Sequence, residues 1–311
     1  MKWTSFVTSI LALALMCSFF GAGNVRSSSG EQPKTKVGFS VSTLKNPFFI
    51  ELKRGVEEKA AERDVELITL DALDNPAKQL SDVEDLLERG IDILLINPCD
   101  SDAVVPAVKA ANRAHVPVIC LDRNSASGSV SCYIASDNVE GGRMAARYIV
   151  EKLNGKGDVV VLEGIPGTSA ARERGKGFNE VISNHPDIRV LSSQPANFDR
   201  AEGMRVMSNL LQAYPNIDCV FCQNDEMALG AIRAIEEAGR EGIIVVGFDA
   251  ISDALKSIKE GKMAATIQQQ PVIMGKLGVE NACRIVKGEK TDSYIPVPLK
   301  LICEENVETL R

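Results

Sequence analysis

Histidine and tryptophan are nearly absent from this chain. Of its 311 residues two are histidine, His115 and His185, and one is tryptophan, Trp3. A histidine-based metal site or catalytic triad would need one of that pair. Both stand close before a proline, Pro117 and Pro186, where loops are expected. The zinc-binding H-E-x-x-H pattern, the nucleophile elbow and the kinase signatures are missing. No catalytic constellation, metal or cofactor is therefore expected. Positive charge is also short: 35 Lys and Arg face 42 Asp and Glu, a net charge of −7. No basic face can dominate such a surface, which argues against nucleic acid as a partner. After Phe20 no apolar run is long enough to span a bilayer. What is present is ordinary for a globular protein: 45% hydrophobic and 25% charged residues, in a length that suits two domains.

The first residues stand apart. Met1-Lys2-Trp3 carries the positive charge, Phe6 to Phe20 is apolar but for Thr8, Ser9 and Ser18, and Gly21-Ala22-Gly23 supplies small residues. The pattern predicts a secretory signal peptide over 1–23 and a disordered linker over 24–35. Fifteen residues make about 22 Å of helix, short of a ~30 Å membrane core. Cys17 follows Leu15-Met16, which lacks the small residue a lipid-attachment site wants, so no lipid anchor is expected. Beyond the signal seven cysteines remain, an odd number without the spacing of a stapled domain. Cys219 and Cys222 fall in a strand-like run, where positions i and i+3 face opposite ways. They read as small buried residues.

Apolar β-branched runs alternate with helical patterns along the rest. Strands are expected at Val37–Val41, Glu66–Leu70, Ile91–Ile96 and Pro117–Leu121, with helices between them. The alternation restarts with strands at Val159–Leu162, Ile188–Leu191, Val220–Phe221 and Ile243–Phe248, with helices near 168–184, 199–213, 224–238 and 251–260. Ala264–Gln270, a helix near 272–287 and one last strand, Tyr294–Ile302, complete the chain. Runs apolar almost throughout are strands covered on both faces. The fold class is α/β: two doubly wound parallel-sheet lobes, joined near Ser136-Asp137-Asn138.

In open α/β sheets ligands bind beyond the carboxyl ends of the strands. The residues there are Ser42 to Phe49, Asn97, Asp122-Arg123, Asp137-Asn138, Asn224-Asp225 and Asp249. Carboxylates accept hydroxyl hydrogens, guanidinium groups donate in a fixed fork, and amides do both, which suits a neutral polyol. Any one of these is more simply a helix cap; the set together favours a site. Of the adjacent Phe48 and Phe49, one is expected in the core and the other against a sugar's C–H face, with Phe198 as the opposite wall. Gly164-Ile-Pro-Gly167 reads as a tight turn before a helix rather than a phosphate cradle. Arg172 and Arg174 oppose the dipole of that helix, so each is either a ligand clamp or solvated.

Several segments resemble the bacterial periplasmic sugar-binding proteins. They are Val41-Ser-Thr-Leu-Lys-Asn-Pro-Phe-Phe49, Leu94-Leu-Ile-Asn-Pro98, Leu121-Asp-Arg123, Ile134-Ala-Ser-Asp-Asn138, Gly167-Thr-Ser-Ala-Ala-Arg-Glu-Arg-Gly175, Gln223-Asn-Asp-Glu-Met-Ala-Leu-Gly230 and Val246-Gly-Phe-Asp249. The set in this order is most similar to the D-ribose-binding members that serve ABC importers. The resemblance implies a pocket of Asn46, Phe48, Phe49, Asp122, Arg123, Arg174, Phe198, Asn224, Asp249 and Gln269, with Ser42 and Asn97 behind them. It implies a periplasmic, monomeric protein of two lobes joined by three crossings near Asp137, Gln269 and Lys300. The lobes would be 36–136 plus 270–298, and 137–269 plus 299–311. Implied partners are D-ribose and a membrane permease, with a chemoreceptor as a further candidate. Three positions depart from the pattern: Ala250 where glycine is frequent, Cys99 where threonine is usual, and Gln268-Gln269-Gln270, which blurs the register of the amide ligand.

Three other readings compete. A LacI-type regulator shares the two lobes but needs a helix-turn-helix before the first strand, where a signal peptide stands instead. An enzyme on this fold needs a constellation the chain lacks. Receptors for allose, a furanose hexose or a signalling furanone stay open as alternatives to ribose.

Overall fold

The computed structural model describes residues 34–309. The expected signal peptide and residues 24–33 of the linker lie outside the described residues. The first half of the chain runs β1 (Lys36–Val41), α1 (Pro47–Glu62), β2 (Glu66–Asp71), α2 (Pro76–Glu88), β3 (Ile93–Ile96), α3 (Val105–Arg113), β4 (Val118–Leu121) and β5 (Cys132–Ser136). The second runs α4 (Asn138–Lys152), β6 (Gly157–Glu163), α5 (Ser169–Ile182), β7 (Ile188–Pro195), α6 (Arg200–Ala213), β8 (Cys219–Cys222), α7 (Asp225–Glu237), β9 (Ile244–Asp249), α8 (Ser252–Lys259) and β10 (Ala265–Gln268). Then follow α9 (Pro271–Val286), β11 (Tyr294–Val297), β12 (Lys300–Cys303) and α10 (Glu304–Val307).

Two six-stranded sheets result, in the orders β2-β1-β3-β4-β5-β11 and β7-β6-β8-β9-β10-β12. Every strand pair is parallel except β10 with β12. The β3, β4 and β8 strands are buried at every position, as central strands roofed by helices on both faces must be. Helix starts are marked by side-chain caps: Asn46 before Pro47, Asn75 before Pro76, Thr168, Asp199 and Asn224. Each lobe carries an apolar core on each face of its sheet.

The chain passes between the sheets at Asp137, at Gln269–Gln270 and at Pro298–Leu299. After the first passage α4 packs on α5 and under β9 and β10; after the second, α9 packs on α1 and under β3 to β5. The single strand expected over 294–302 is in fact two. Pro298 cannot donate to a ladder, and the chain there leaves the first sheet and enters the second.

Three helix pairs meet at glycines. A Cβ on Gly142 would lie 2.1 Å from Arg174 O, and one on Gly177 1.9 Å from Val139 O. Gly203 and Gly230 face the partner helix in α6 and α7 in the same way, as do Gly55 and Gly275 in α1 and α9. All seven cysteines of the described residues are free. Cys219 and Cys222 are fully buried, and burial pushes both thiols far up, so they are inert packing residues. Among the described residues no helix is long and apolar enough to cross a membrane, and no cluster could hold a metal ion.

Candidate functional site

The carboxyl ends of both sheets face one another, and a small cavity lies between them. It is lined by Asn46, Phe48, Phe49, Asp122, Arg123, Ala170, Arg174, Phe198, Asn224, Asp249 and Gln269. All ten residues expected to form a pocket therefore line one cavity, with Ala170 in addition. A larger open groove runs alongside between α1 and the start of α8, past Ile50, Arg54 and Ile273. The small cavity is the better site, because buried polar atoms without partners belong to its lining.

The caps explain how several side chains reach the cavity. Asn46 Oδ1 accepts from the Phe48 amide at 2.9 Å. Asn224 Oδ1 accepts from Met227 N at 3.0 Å, and its Nδ2 donates to Phe198 O at 3.2 Å. Capping and lining are thus done by the same residues. Asp137 only caps: it is exposed and accepts from Glu140 N. Asp122 stands in the left-handed region, φ 63°, immediately after β4. Its backbone oxygen accepts from the Tyr133 hydroxyl at 3.1 Å. Behind it, the Ser42 amide and hydroxyl both donate to Asn97 Oδ1, at 3.2 and 2.6 Å. Asn97 Nδ2 then donates to Leu121 O at 3.0 Å and to Asp122 Oδ2 at 3.4 Å. Ser42 and Asn97 are fully buried and do not line the cavity.

Arg123 donates from Nη1 to Pro98 O at 3.2 Å. Its Nε lies 3.7 Å from Asp122 Oδ2, too far for a hydrogen bond. The guanidinium sits 5.0 Å from the centroid of Phe49 and 5.3 Å from that of Phe198, which comes from the other lobe. Arg174 donates from Nη1 to Gln223 O at 2.6 Å and from Nε to Asn138 Oδ1 at 2.9 Å. It stacks 3.7 Å over Phe248 and lies 3.8 Å from Asp249 Oδ1. Arg172 is exposed and donates to Gly167 O. Gln269 Nε2 donates to Asp249 Oδ1 at 2.8 Å, whereas Gln270 turns to Pro298 O. The side chain in the cavity is therefore that of Gln269.

The expected division between Phe48 and Phe49 does not hold. Both are 3% exposed, both line the cavity, and their rings meet edge to face with centroids 5.2 Å apart. The cavity sits on the core, so one ring can serve both. Cys99 is buried with its Sγ 3.7 Å from Ser42 O and is not part of the lining. Sequence reasoning missed Tyr133, and it noted Asn138 at a strand end without giving it a task. The buried Arg174 required an acceptor for Nε, and that is the signal that would have found Asn138.

Two carboxylates and two guanidinium groups cancel, so a charged occupant would be left uncompensated. Burial pushes the carboxyls of Asp122 and Asp249 up, against the pull of Arg123 and Arg174 on the first and of Arg174 on the second. Burial pulls the Arg174 guanidinium down. Asp122 Oδ1, Arg123 Nε and Gln269 Oε1 are buried without a partner in the protein. They are one strong acceptor, one strong donor and one amide acceptor, which a ligand with several hydroxyls satisfies.

The lobes touch across the cleft away from the cavity. Ser101 N donates to Gly167 O at 2.9 Å, Ser169 N to Ser101 Oγ at 3.1 Å, and Asn124 N to Ser169 Oγ at 3.0 Å.

The family described as periplasmic binding protein domain matches residues 37–290. The ribose import binding protein RbsB of Haemophilus influenzae is 52% identical over 277 residues, which cover 89% of this chain and 94% of that protein. Its counterpart in Escherichia coli K12 is 51% identical over 278 residues, again 89% and 94%. A periplasmic solute-binding protein of an ABC transporter from Actinobacillus succinogenes, solved with bound D-allose, superposes with a TM-score of 0.84 at 32% identity. That match covers 89% of this chain and 100% of that one.

Proposed function

Because the chain belongs to the periplasmic binding protein family, we propose that it captures D-ribose between its lobes and delivers it to the permease of an ABC importer. The family is one of binding proteins, not enzymes. The observation that carries the reading is a small, charge-balanced cavity lined from both lobes, with a buried acceptor and a buried donor left free for hydroxyl groups. Asp122 and Asp249 accept hydroxyl hydrogens, Arg123 and Arg174 donate, and Asn46, Asn224 and Gln269 do either. Phe48, Phe49 and Phe198 cover the apolar faces of the ring. Ser42 and Asn97 act through Asp122: Ser42 holds Asn97, which donates to the Asp122 carboxylate and to the Leu121 carbonyl before it. The relatives at 51–52% identity are named for ribose, and the structure at 32% holds allose, which favours the pentose.

The protein works in this reading as an exported periplasmic monomer. The permease reads the closed form, and a chemoreceptor is a second candidate reader. Calorimetric titration with ribose, allose, galactose and fructose tests the reading. One ribose per chain, bound more tightly than the hexoses, is expected. Binding of allose with no heat from ribose would reassign the ligand, and silence with all four sugars would sink the reading.

A further inference from the structure

Asp225 opens α7 and is fully buried, yet it lines no part of the cavity. Its Oδ1 accepts from the Thr266 hydroxyl at 2.7 Å, and its Oδ2 accepts from the Ile251 amide at 2.9 Å. Thr266, buried in β10, accepts the Ala250 amide on the same hydroxyl oxygen at 3.3 Å. The three bonds converge on the turn between β9 and α8. There Asp249 has φ 120° and Ala250 has φ 61°, a stretch that favours glycine and holds none. Such backbone persists only where its surroundings over-determine it. Space for the carboxylate is made in β9: a Cβ on Gly247 would lie 2.2 Å from Asp225 Oδ1. No cap explains the arrangement, since α8 has no side-chain cap.

We propose that Asp225 and Thr266 are positioning residues for sugar capture: a buried carboxylate–hydroxyl clamp that holds the strained Asp249–Ala250 turn and aims Asp249 into the cavity. The inference rests on the ribose reading for its ligand, but the clamp itself can be observed without sugar. Gln269 follows β10 by one residue, so the clamp also fixes the strand from which that amide reaches Asp249.

The test compares Thr266→Val, which keeps the shape and loses the hydroxyl, with Thr266→Ser, which keeps it. Ribose affinity is read by calorimetry, and exchange of the Ala250 and Ile251 amides by hydrogen exchange in the sugar-free protein. Thr266→Val is expected to lose about tenfold in ribose affinity, the scale of one buried hydrogen bond, and to unprotect both amides. Thr266→Ser should stay near the wild type in both readouts. Adding Ala250→Gly to Thr266→Val should restore part of the affinity, because glycine takes a positive φ without being held there. A general loss of packing would not be relieved by a glycine. The clamp is overturned if Thr266→Val keeps wild-type amide protection, if Thr266→Ser loses as much as Thr266→Val, or if the glycine restores nothing. A wild type that binds no ribose defeats the ligand reading alone, and the amide exchange still decides the clamp.

Discussion

Arg172 and Arg174 stand two residues apart on α5 in opposite surroundings. Arg174 is 3% exposed and held by Asn138, Gln223 and the ring of Phe248; Arg172 is in solvent. Truncating a buried member of a charged pair costs ~2–5 kcal/mol, or roughly 30-fold and more in affinity. Arg174→Ala is therefore expected to lose at least that much ribose affinity. Arg172→Ala should stay within about threefold, as surface substitutions do. Equal titration curves for the two variants would put the site elsewhere. Acidity is the second matter at this scale. An unfolded aspartate titrates near ~4, while burial, with Asp122 adding to it, lifts Asp249 to about 7 in the folded chain. Burial and the nearby Asp249 also push Asp225 up. Between those limits the folded chain holds more protons than the unfolded one, so stability falls as pH rises through the window. The sugar-free melting temperature should drop from pH 5 to pH 8, and ribose, with a hydroxyl donating to Asp249 as proposed, should flatten the slope. A sugar-free protein that gains stability over that range would contradict it. Asn46, Phe48, Phe49, Asp122, Arg123, Asn224 and Asp249 were legible at the strand ends, because a parallel sheet presents them there, whereas Gln269 came only from the family resemblance. Tyr133 was not legible, and Asn138 was seen without a task, because a supporting role depends on which atom of a neighbour lacks a partner.

Helices set the spacing between lobe walls and cavity. The α4–α5 pair closes to backbone contact at Gly142 and Gly177, and α5 carries Arg174 beside that contact. Gly177→Ala drives a methyl group against Val139 O and is expected to cost about 1–3 kcal/mol, the usual scale of overpacking. A urea midpoint measures that cost, and ribose affinity should fall with it as Arg174 shifts. An unchanged midpoint would mean that the helices part without strain. Alternation of apolar runs and helical periods placed β1 to β4 and β6 to β9 within a few residues, since the central runs are buried on both faces; it did not read β5 or α4, which follow one another at the join between the lobes. The stretch from 294 to 302 defeated that logic. Its apolar pattern continues across Pro298 while the chain changes sheets, and periodicity carries no information about which sheet a strand joins.

Closure belongs to the whole molecule. The strand pattern divides the chain into lobes, but nothing in it says which surfaces meet when they close. The seam does: a Cβ on Gly167 would lie 1.6 Å from Asp100 Oδ2 across the cleft. That carboxylate is pinned, its Oδ1 accepting from the amides of Asp102 and Ala103 at 2.8 Å. Gly167→Ala should leave each lobe folded and hold the pair ajar, lowering the fraction that can close and with it the apparent affinity. Small-angle scattering should show the wild type contracting with ribose and the variant contracting less. Asp100→Ala in the same chain should restore the contraction. A Gly167→Ala protein that contracts like the wild type would rule out the seam as the limit.

The walls around the cavity come from both lobes, Asn46 and Phe49 from one and Arg174 and Phe198 from the other, so neither lobe alone surrounds it. On the proposed reading, departure of the cargo waits on the parting of Ser101 from Gly167 and Ser169. Sugars of unequal affinity share one ceiling on their dissociation rate. A permease that pries the lobes apart shortens the residence time of any of them without touching the sugar.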